Sequence, residues 1–439
     1  MAMLPDQHSQ LCGKSELELF TVPDTQVAIQ DDQWIEYHPL STLTDASPIE
    51  FLISGAPDSL LDLSQSYLHI RCKILNGPTD KLVATDKVGP VNLLLHSLFS
   101  TCEVSLNGKI ISASDNAYSY RSYLESILTY GGDAKVSQLM SSLFIEDTAD
   151  QFDVTDPTAT GTNDGLKSRA NFTNLSKTVD LFGRLHSDLF HQERLLLNSV
   201  DVRVKLLRNK DAFCLMCGDA DPKFKINLTH ASLFVRKVLP SPSILLAHNQ
   251  ALSSGNAKYP LKRVEVKSFS LPAGSLQGNL DNCVLGNLPS MCVIGLVDND
   301  AHNGDFKKNP YNFKHFNVNH LSVYVSGKQV PSIPFQPDYT NNLYVRNYMS
   351  LFQATGKIFQ NEGNAIDYNE YRGGNTLYAF DLTPDNSADQ CHFNLTKQGN
   401  IRIDIRFGTA LPNTVNLILY TLYQTVLEID KSRNVLYDY

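Results

Sequence analysis

One pattern of short alternating segments occurs twice along this chain in the same order, and that repetition limits the possible fold more than any single motif. Val104-Ser-Leu-Asn-Gly-Lys-Ile-Ile111 is matched by Val323-Tyr-Val-Ser-Gly-Lys-Gln-Val330. Each is followed, after a polar loop, by an Arg-x-Tyr-apolar core: Arg121, Tyr123 and Leu124 in one copy, Arg346, Tyr348 and Met349 in the other. Val200–Leu206 then has the pattern of Ile401–Phe407, and Ile226-Asn-Leu228 opens a long apolar stretch as Val415-Asn-Leu417 does. The offset between copies falls from 219 residues at the first match to 189 at the last, a drift that unequal loop lengths produce.

The repeated segments read as strands. Residues 49–56, 66–75, 102–112, 177–185, 199–207 and 224–238 alternate apolar and polar side chains, as do 261–271, 290–298, 320–330, 376–382, 400–407 and 414–429. Period two puts successive side chains on opposite faces, so each strand buries one face. Asn107-Gly108 within such a run is a tight-hairpin signal. Apolar and aromatic residues at i, i+3 and i+4 predict helices over 117–130 and 341–356, and a shorter one over 186–197. Gly131-Gly132 ends the first of them.

The repeat is far longer than a propeller blade. A unit of this kind must close its apolar faces against a second sheet. Eight strands in two Greek keys form a jelly roll. The expected fold is therefore all-β: a tandem double jelly roll, two eight-stranded antiparallel β-sandwiches with short helices in inserted loops. The expected division is an N-terminal arm over 1–48, a first jelly roll over 49–240, a linker over 241–258, a second jelly roll over 259–430 and a C-terminal tail over 431–439. The arm is polar and aperiodic, so it should be extended or ordered only against a neighbour. The acidic, turn-rich stretch 147–165 should be exposed, as a tower or a disordered loop. Loops 147–170, 299–318 and 357–375 are candidate contacts between subunits, and 427–439 is expected to lie against a neighbouring subunit.

Candidate chemistry is sparse. Among the eight cysteines, Cys214 and Cys217 form a single C-x-x-C with no second pair, which falls short of a zinc site. His186 and His191 are five apart, as are His315 and His320, and neither spacing favours a metal. Asp298, Asp300 and Asp305 lack the register of a calcium loop. No G-x-S-x-G, P-loop or G-x-G-x-x-G occurs. No catalytic, cofactor-binding or metal residue is therefore expected, and the chain is expected not to be an enzyme. A net charge of −9 without a basic stripe argues against specific nucleic-acid binding. With only 19% charged residues, the surface suits protein contact. Residues 1–20 have neither the basic nor the apolar region of a secretory signal. No apolar run is long enough to span a membrane. The sequons at Asn171, Asn174, Asn227 and Asn394 are accordingly expected to be chance matches, and the cysteines free thiols in a reducing compartment.

The block HSLFSTCEVSLNGKII (96–111) with YSYRSYLESILTY (118–130) resembles the major capsid (hexon) proteins of Polinton or Maverick elements and their adintovirus relatives. That resemblance implies homotrimers, pseudo-hexameric capsomers and an icosahedral shell around double-stranded DNA. It implies as partners other copies of the chain, a single-jelly-roll penton protein and minor capsid proteins. It places the protein in the virion, made inside the host cell and not secreted. The alternative is a tandem β-sandwich that binds carbohydrate or protein, for which a signal peptide and paired cysteines would be expected. A jelly-roll enzyme such as a copper monooxygenase or an amidase would need clustered histidine, methionine or carboxylate side chains.

Overall fold

The computed structural model describes residues 14–44, 47–112, 116–159 and 161–437. The first sandwich comprises β1 (Ile29–Tyr37), β2 (Ile49–Ile53), β3 (Leu60–Asn76), β4 (Phe99–Leu106), β5 (Lys109–Ile110), β6 (Val179–Arg184), β7 (Val202–Arg208) and β8 (Phe224–Pro240). They form two sheets, ordered β1-β8-β3-β6 and β2-β7-β4-β5. The second comprises β9 (Ala257–Leu271), β10 (Gln277–Asn287), β11 (Met291–Asp298), β12 (Val318–Val325), β13 (Lys328–Phe335), β14 (Leu377–Asp381), β15 (Gln398–Phe407) and β16 (Val415–Ile429). Its sheets are ordered β9-β16-β11-β14 and β10-β15-β12-β13. Each strand of the first sandwich has its counterpart eight strands later, and neighbours pair antiparallel. The fold is a double jelly roll.

Alternation produces these sheets. Ile49, Phe51 and Ile53 of β2 face Val202, Val204 and Leu206 of β7 across the ladder, all buried. Ile401, Ile403 and Ile405 of β15 do the same beside Leu321 and Val323 of β12. Each such side chain contributes about 1.5–3 kcal/mol on burial. The two matching hairpins are both turned by residues with positive φ: Asn107 (46°) with Gly108 (81°), and Ser326 (49°) with Gly327 (83°). This geometry matches the right-handed twist of the strands. A methyl group on Gly327 would touch nothing within 4 Å. Gly327→Ala should therefore cost only the backbone strain, about 1–2 kcal/mol. Denaturant titration would read that loss, and an unchanged midpoint would contradict the turn geometry.

Among the described residues four helices are ten or more residues long, α1 (Tyr118–Thr129), α2 (Asp164–Thr173), α3 (Pro242–Ala251) and α4 (Val345–Ala354), with shorter helical turns in other connections. Helices α1 and α4 occupy the same place in the two halves, between the fifth and sixth strands, and fall where apolar spacing predicts them. The helix expected over 186–197 is instead a single 3-10 turn, Asp188–His191. Its apolar residues Leu189, Phe190, Leu196 and Leu197 are buried along a mostly extended chain, and Leu196 bridges to Leu61.

Three further expectations need correction. Residues 29–37, assigned to the arm, form β1 and pair with Leu233–Pro240 of β8. Main-chain pairing rather than an apolar stripe holds this strand. Residues 1–13 of the expected arm lie outside the described residues. The stretch 147–165 is not a tower: Asp147 and Phe152 are buried and Asn163 caps α2, whose Arg169 is fully buried. The tail lies against its own chain. Val435–Leu436 pairs with β16, Asn107 Nδ2 donates to the Arg433 carbonyl (2.8 Å), Arg433 Nε donates to the Asn198 carbonyl (2.8 Å), and Lys109 Nζ donates to the Tyr437 carbonyl (3.1 Å). Residues 438–439 lie outside the described residues. Among the described residues, no helix is long and apolar enough to cross a membrane.

Candidate functional site

The two jelly rolls meet along a seam built from α1 on one side and 309–318 on the other. Tyr311 stacks on Tyr123, with ring centroids 4.1 Å apart and planes at 7°, and its hydroxyl lies 2.6 Å from Ser97 Oγ. Tyr120 meets Phe313 edge-on. Around these rings run polar ties: Asn309 Nδ2 donates to Asp147 Oδ2 (3.1 Å), and Lys314 Nζ reaches both Asp153 (2.6 Å) and Asp298 (2.8 Å). Loops 147–170 and 299–318, expected to contact other subunits, therefore contact each other within one chain.

At one end of the seam sits a buried polar centre. Arg121 of α1 donates through Nε to Glu125 Oε1 (2.9 Å) and through a terminal nitrogen to Asp188 Oδ1 (2.6 Å). Asp188 Oδ1 also accepts from the backbone N–H of Val264 on β9 (3.1 Å), which ties the centre to the second jelly roll. Asp188 Oδ2 is buried without a hydrogen-bond partner. His186 Nδ1 lies 2.6 Å from Glu125 Oε2, and His191 Nδ1 lies 4.0 Å from the same oxygen. Burial favours the neutral form of Glu125, but the adjacent Arg121 charge wins and holds the carboxyl well below the usual range. Burial raises Asp188 in spite of Arg121, and desolvation lowers His191 although its side chain is one-third exposed. The centre borders a cavity of about 850 Å³, also lined by Val264, Met291, Tyr420 and Leu422 of the second jelly roll. The histidine spacing showed no third ligand, because Glu125 lies about sixty residues earlier and only the fold brings it to His186. The one local signal was Arg121 four residues before Glu125 on a predicted helix.

The second notable surface is the outer face of sheet β1-β8-β3-β6. Trp34 stacks on Tyr67 (5.5 Å) and Tyr67 on Phe182 (4.9 Å), with Phe234 beside them (5.9 Å from Phe182). Trp34 is 43% exposed and Phe182 38%. The equivalent face of the second jelly roll is covered. Strand β11 is buried throughout and β16 is buried from Val415 to Tyr423, where one-sided strands would alternate. Helix α1 of the first jelly roll packs against β9, and Val264, Met291, Tyr420 and Leu422 share one cavity with Glu125, His186 and His191.

The other sequence candidates disperse. Cys214 and Cys217 are buried free thiols; burial raises both, Cys217 to about 11. The Asp298 carboxylate is clamped by Lys314, and Asp300 by Lys308 (3.1 Å). His315 stacks on Tyr339 (4.2 Å), whereas His320 lies 4.0 Å from Asp404. Burial lowers the pKa of His230, His302, His315 and His320. The unfolded chain then binds protons below about pH 6.5 that the folded chain refuses, so stability must fall as the pH drops through that value. Denaturant midpoints measured between neutral and mildly acidic pH should decline monotonically, and a rise toward acid would contradict these environments.

No family model matches the chain. An uncharacterized protein of Caenorhabditis elegans, F54H12.2, is 25% identical over 429 residues, covering 95% of this chain and 99% of its own. Among solved structures, a chain of the Sputnik virophage superposes with a TM-score of 0.66 at 12% identity, covering 98% of this chain and 93% of its own. The mavirus major capsid protein gives 0.56 at 12% identity, covering 100% and 97%. The Faustovirus major capsid protein gives 0.58 at 9% identity, covering 95% and 93%.

Proposed function

We propose that this chain is a structural shell protein, a major capsid protein of an icosahedral double-stranded DNA virus or virus-like transposon of the Polinton, Maverick and adintovirus kind, and that it performs no catalysis. It works by packing three copies head to tail into a pseudo-hexameric capsomer. The observation that carries the reading is the unequal covering of two equivalent sheet faces. In the second jelly roll β11 and β16 are buried, with α1 of the first jelly roll packed on β9 and α4 packed on β14. In the first jelly roll the corresponding face bears Trp34 and Phe182 in the open, both stacked on a half-buried Tyr67. Exposed aromatic residues of this kind anchor protein interfaces. The second jelly roll of another copy offers a matching surface in α4, where Val345 and Met349 are exposed. A face that repeats the contact already made within the chain is heterologous, and a heterologous contact whose rotation closes after three copies makes a ring. Three chains of two similar units give six similar positions. Capsomers would then associate with one another, with a single-jelly-roll penton protein and with minor capsid proteins, and the protein would reside in the virion.

Light scattering on the purified chain, with electron microscopy of the same sample, tests this. The expected result is three times the 48.9 kDa chain mass and particles of hexagonal outline. Trp34→Asp with Phe182→Asp should give folded monomers. A wild-type chain that stays monomeric at all salt concentrations and pH values would overturn the reading. It would favour a tandem binding module, in which the stacked Trp34, Tyr67 and Phe182 rings would hold a flat ligand such as a sugar.

A further inference from the structure

We propose that Glu125, His186 and His191 form a binding site for a divalent transition metal, best suited to zinc, which staples the first jelly roll at its seam with the second. One carboxylate and two imidazoles are a common zinc donor set, leaving a fourth position for water. One ligand atom from each of Glu125, His186 and His191 lies within 4.8 Å of the other two. Ligand atoms bound at about 2.0–2.1 Å in a tetrahedron stand roughly 3.3 Å apart. The observed separations from Glu125 Oε2, 2.6 Å to His186 and 4.0 Å to His191, bracket that value. Small side-chain rotations bring all three to it, and the metal replaces the proton shared by Glu125 and His186.

The surroundings meet three further requirements. The second oxygen of Glu125 is held by Arg121, the kind of outer contact that fixes a metal-binding carboxylate. The Arg121 charge is itself matched by Asp188 at 2.6 Å, so a dication faces one carboxylate and two neutral imidazoles rather than an unbalanced guanidinium. The His191 side chain is one-third exposed and borders the 850 Å³ cavity, which gives the ion a route in and room for a bound water. The ligands come from α1 (Glu125), from the stretch between β6 and the 3-10 turn (His186) and from that turn (His191), and the turn holds the β9 backbone through Asp188. Metal binding would therefore stiffen a contact between the two jelly rolls.

The test uses the full chain, stripped of metal with EDTA, titrated with zinc chloride by calorimetry and with cobalt chloride by visible absorption. The expected result is one zinc per chain, a cobalt spectrum typical of tetrahedral nitrogen and oxygen ligands, and a zinc-dependent rise in melting temperature. His191 makes no hydrogen bond that the fold needs, so His191→Ala should melt like wild type without zinc. It should bind zinc about 100-fold more weakly or worse, since even outer-sphere partners cost 10–100-fold. A second cluster, Glu36, His69 and His230 on the open sheet face, provides the control. His69→Ala with His230→Ala should leave seam binding intact. No stoichiometric zinc, zinc binding unchanged in His191→Ala, or binding lost only in the His69 and His230 variant would each overturn the proposal.

Discussion

Arg169→Met is expected to destabilise the folded chain by about 3–5 kcal/mol, because it removes one partner of a buried ion pair. Arg169 has no exposed surface, and neither has the Asp147 side chain 2.6 Å away. Its other nitrogens donate to the carbonyls of Pro90 (2.9 Å) and Ile145. It thus ties α2, the chain before α1 and the 147–153 loop to one point. Methionine fills much of the volume but takes the Arg169 donors from two carbonyls and leaves the buried Asp147 carboxylate with the Asn163 and Asn309 amides but no counter-charge, and each loss carries a desolvation penalty. Loss of soluble folded protein, or a large drop in the denaturant midpoint, would register this. A double variant, Arg169→Met with Asp147→Leu, should lose less than the sum of the single changes. Additive losses would mean that the two side chains do not interact.

Tyr311→Ala should cost a similar amount, about 3–5 kcal/mol, through the cavity it opens between the jelly rolls. Tyr311 is fully buried, stacked on Tyr123 and edge-on to Tyr120 and Phe213. Tyr311→Phe keeps the rings together and removes the hydroxyl's contacts to Ser97 and Ser119. Ser97 Oγ retains the carbonyls of Asn92 and Leu93, so the phenylalanine variant should cost about 1 kcal/mol. Proteolysis should separate the two further, with the alanine variant cleaved at the loosened seam while the phenylalanine variant resists. Equal sensitivity would show that the rings do not couple the halves.

The contrast between what alternation revealed and what it concealed has a physical basis. Strands with one wet face, such as β2, β7 and β15, display period two and were legible, as was the Asn107-Gly108 turn, whose residues both take positive φ. Strand β1 was not. In Ile29-Gln-Asp-Asp-Gln-Trp-Ile-Glu-Tyr37 most side chains are exposed, so its pairing with β8 leaves little trace in hydropathy. The 147–170 loop misled for the opposite reason. Its acidic side chains look solvated, yet Asp147 and Asp153 find Arg169, Lys314 and the asparagines Asn163, Asn309 and Asn312. Such partners lie far away in sequence, and local composition carries no record of them. The polar centre was hidden likewise, since His186 and His191 were visible but Glu125 joins them only through the fold.

The pairing of β1 with β8 also sets a clock on folding. Tyr37 meets Leu233 and Ile29 meets Pro240, so nearly two hundred residues separate the partners, and pairings this remote are slow to form. Strand β8 lies between β1 and β3. Until residues 224–240 have been synthesised, β1 has no partner and β3 has one bare edge. At about 5–20 residues per second, a ribosome holds the nascent chain in that state for roughly 10–40 s. Such an edge is open to pairing with another chain. The nascent first half would therefore need a chaperone, or low local crowding of ribosomes, during that interval, and a fragment ending before β8 should aggregate rather than persist as a partial sandwich.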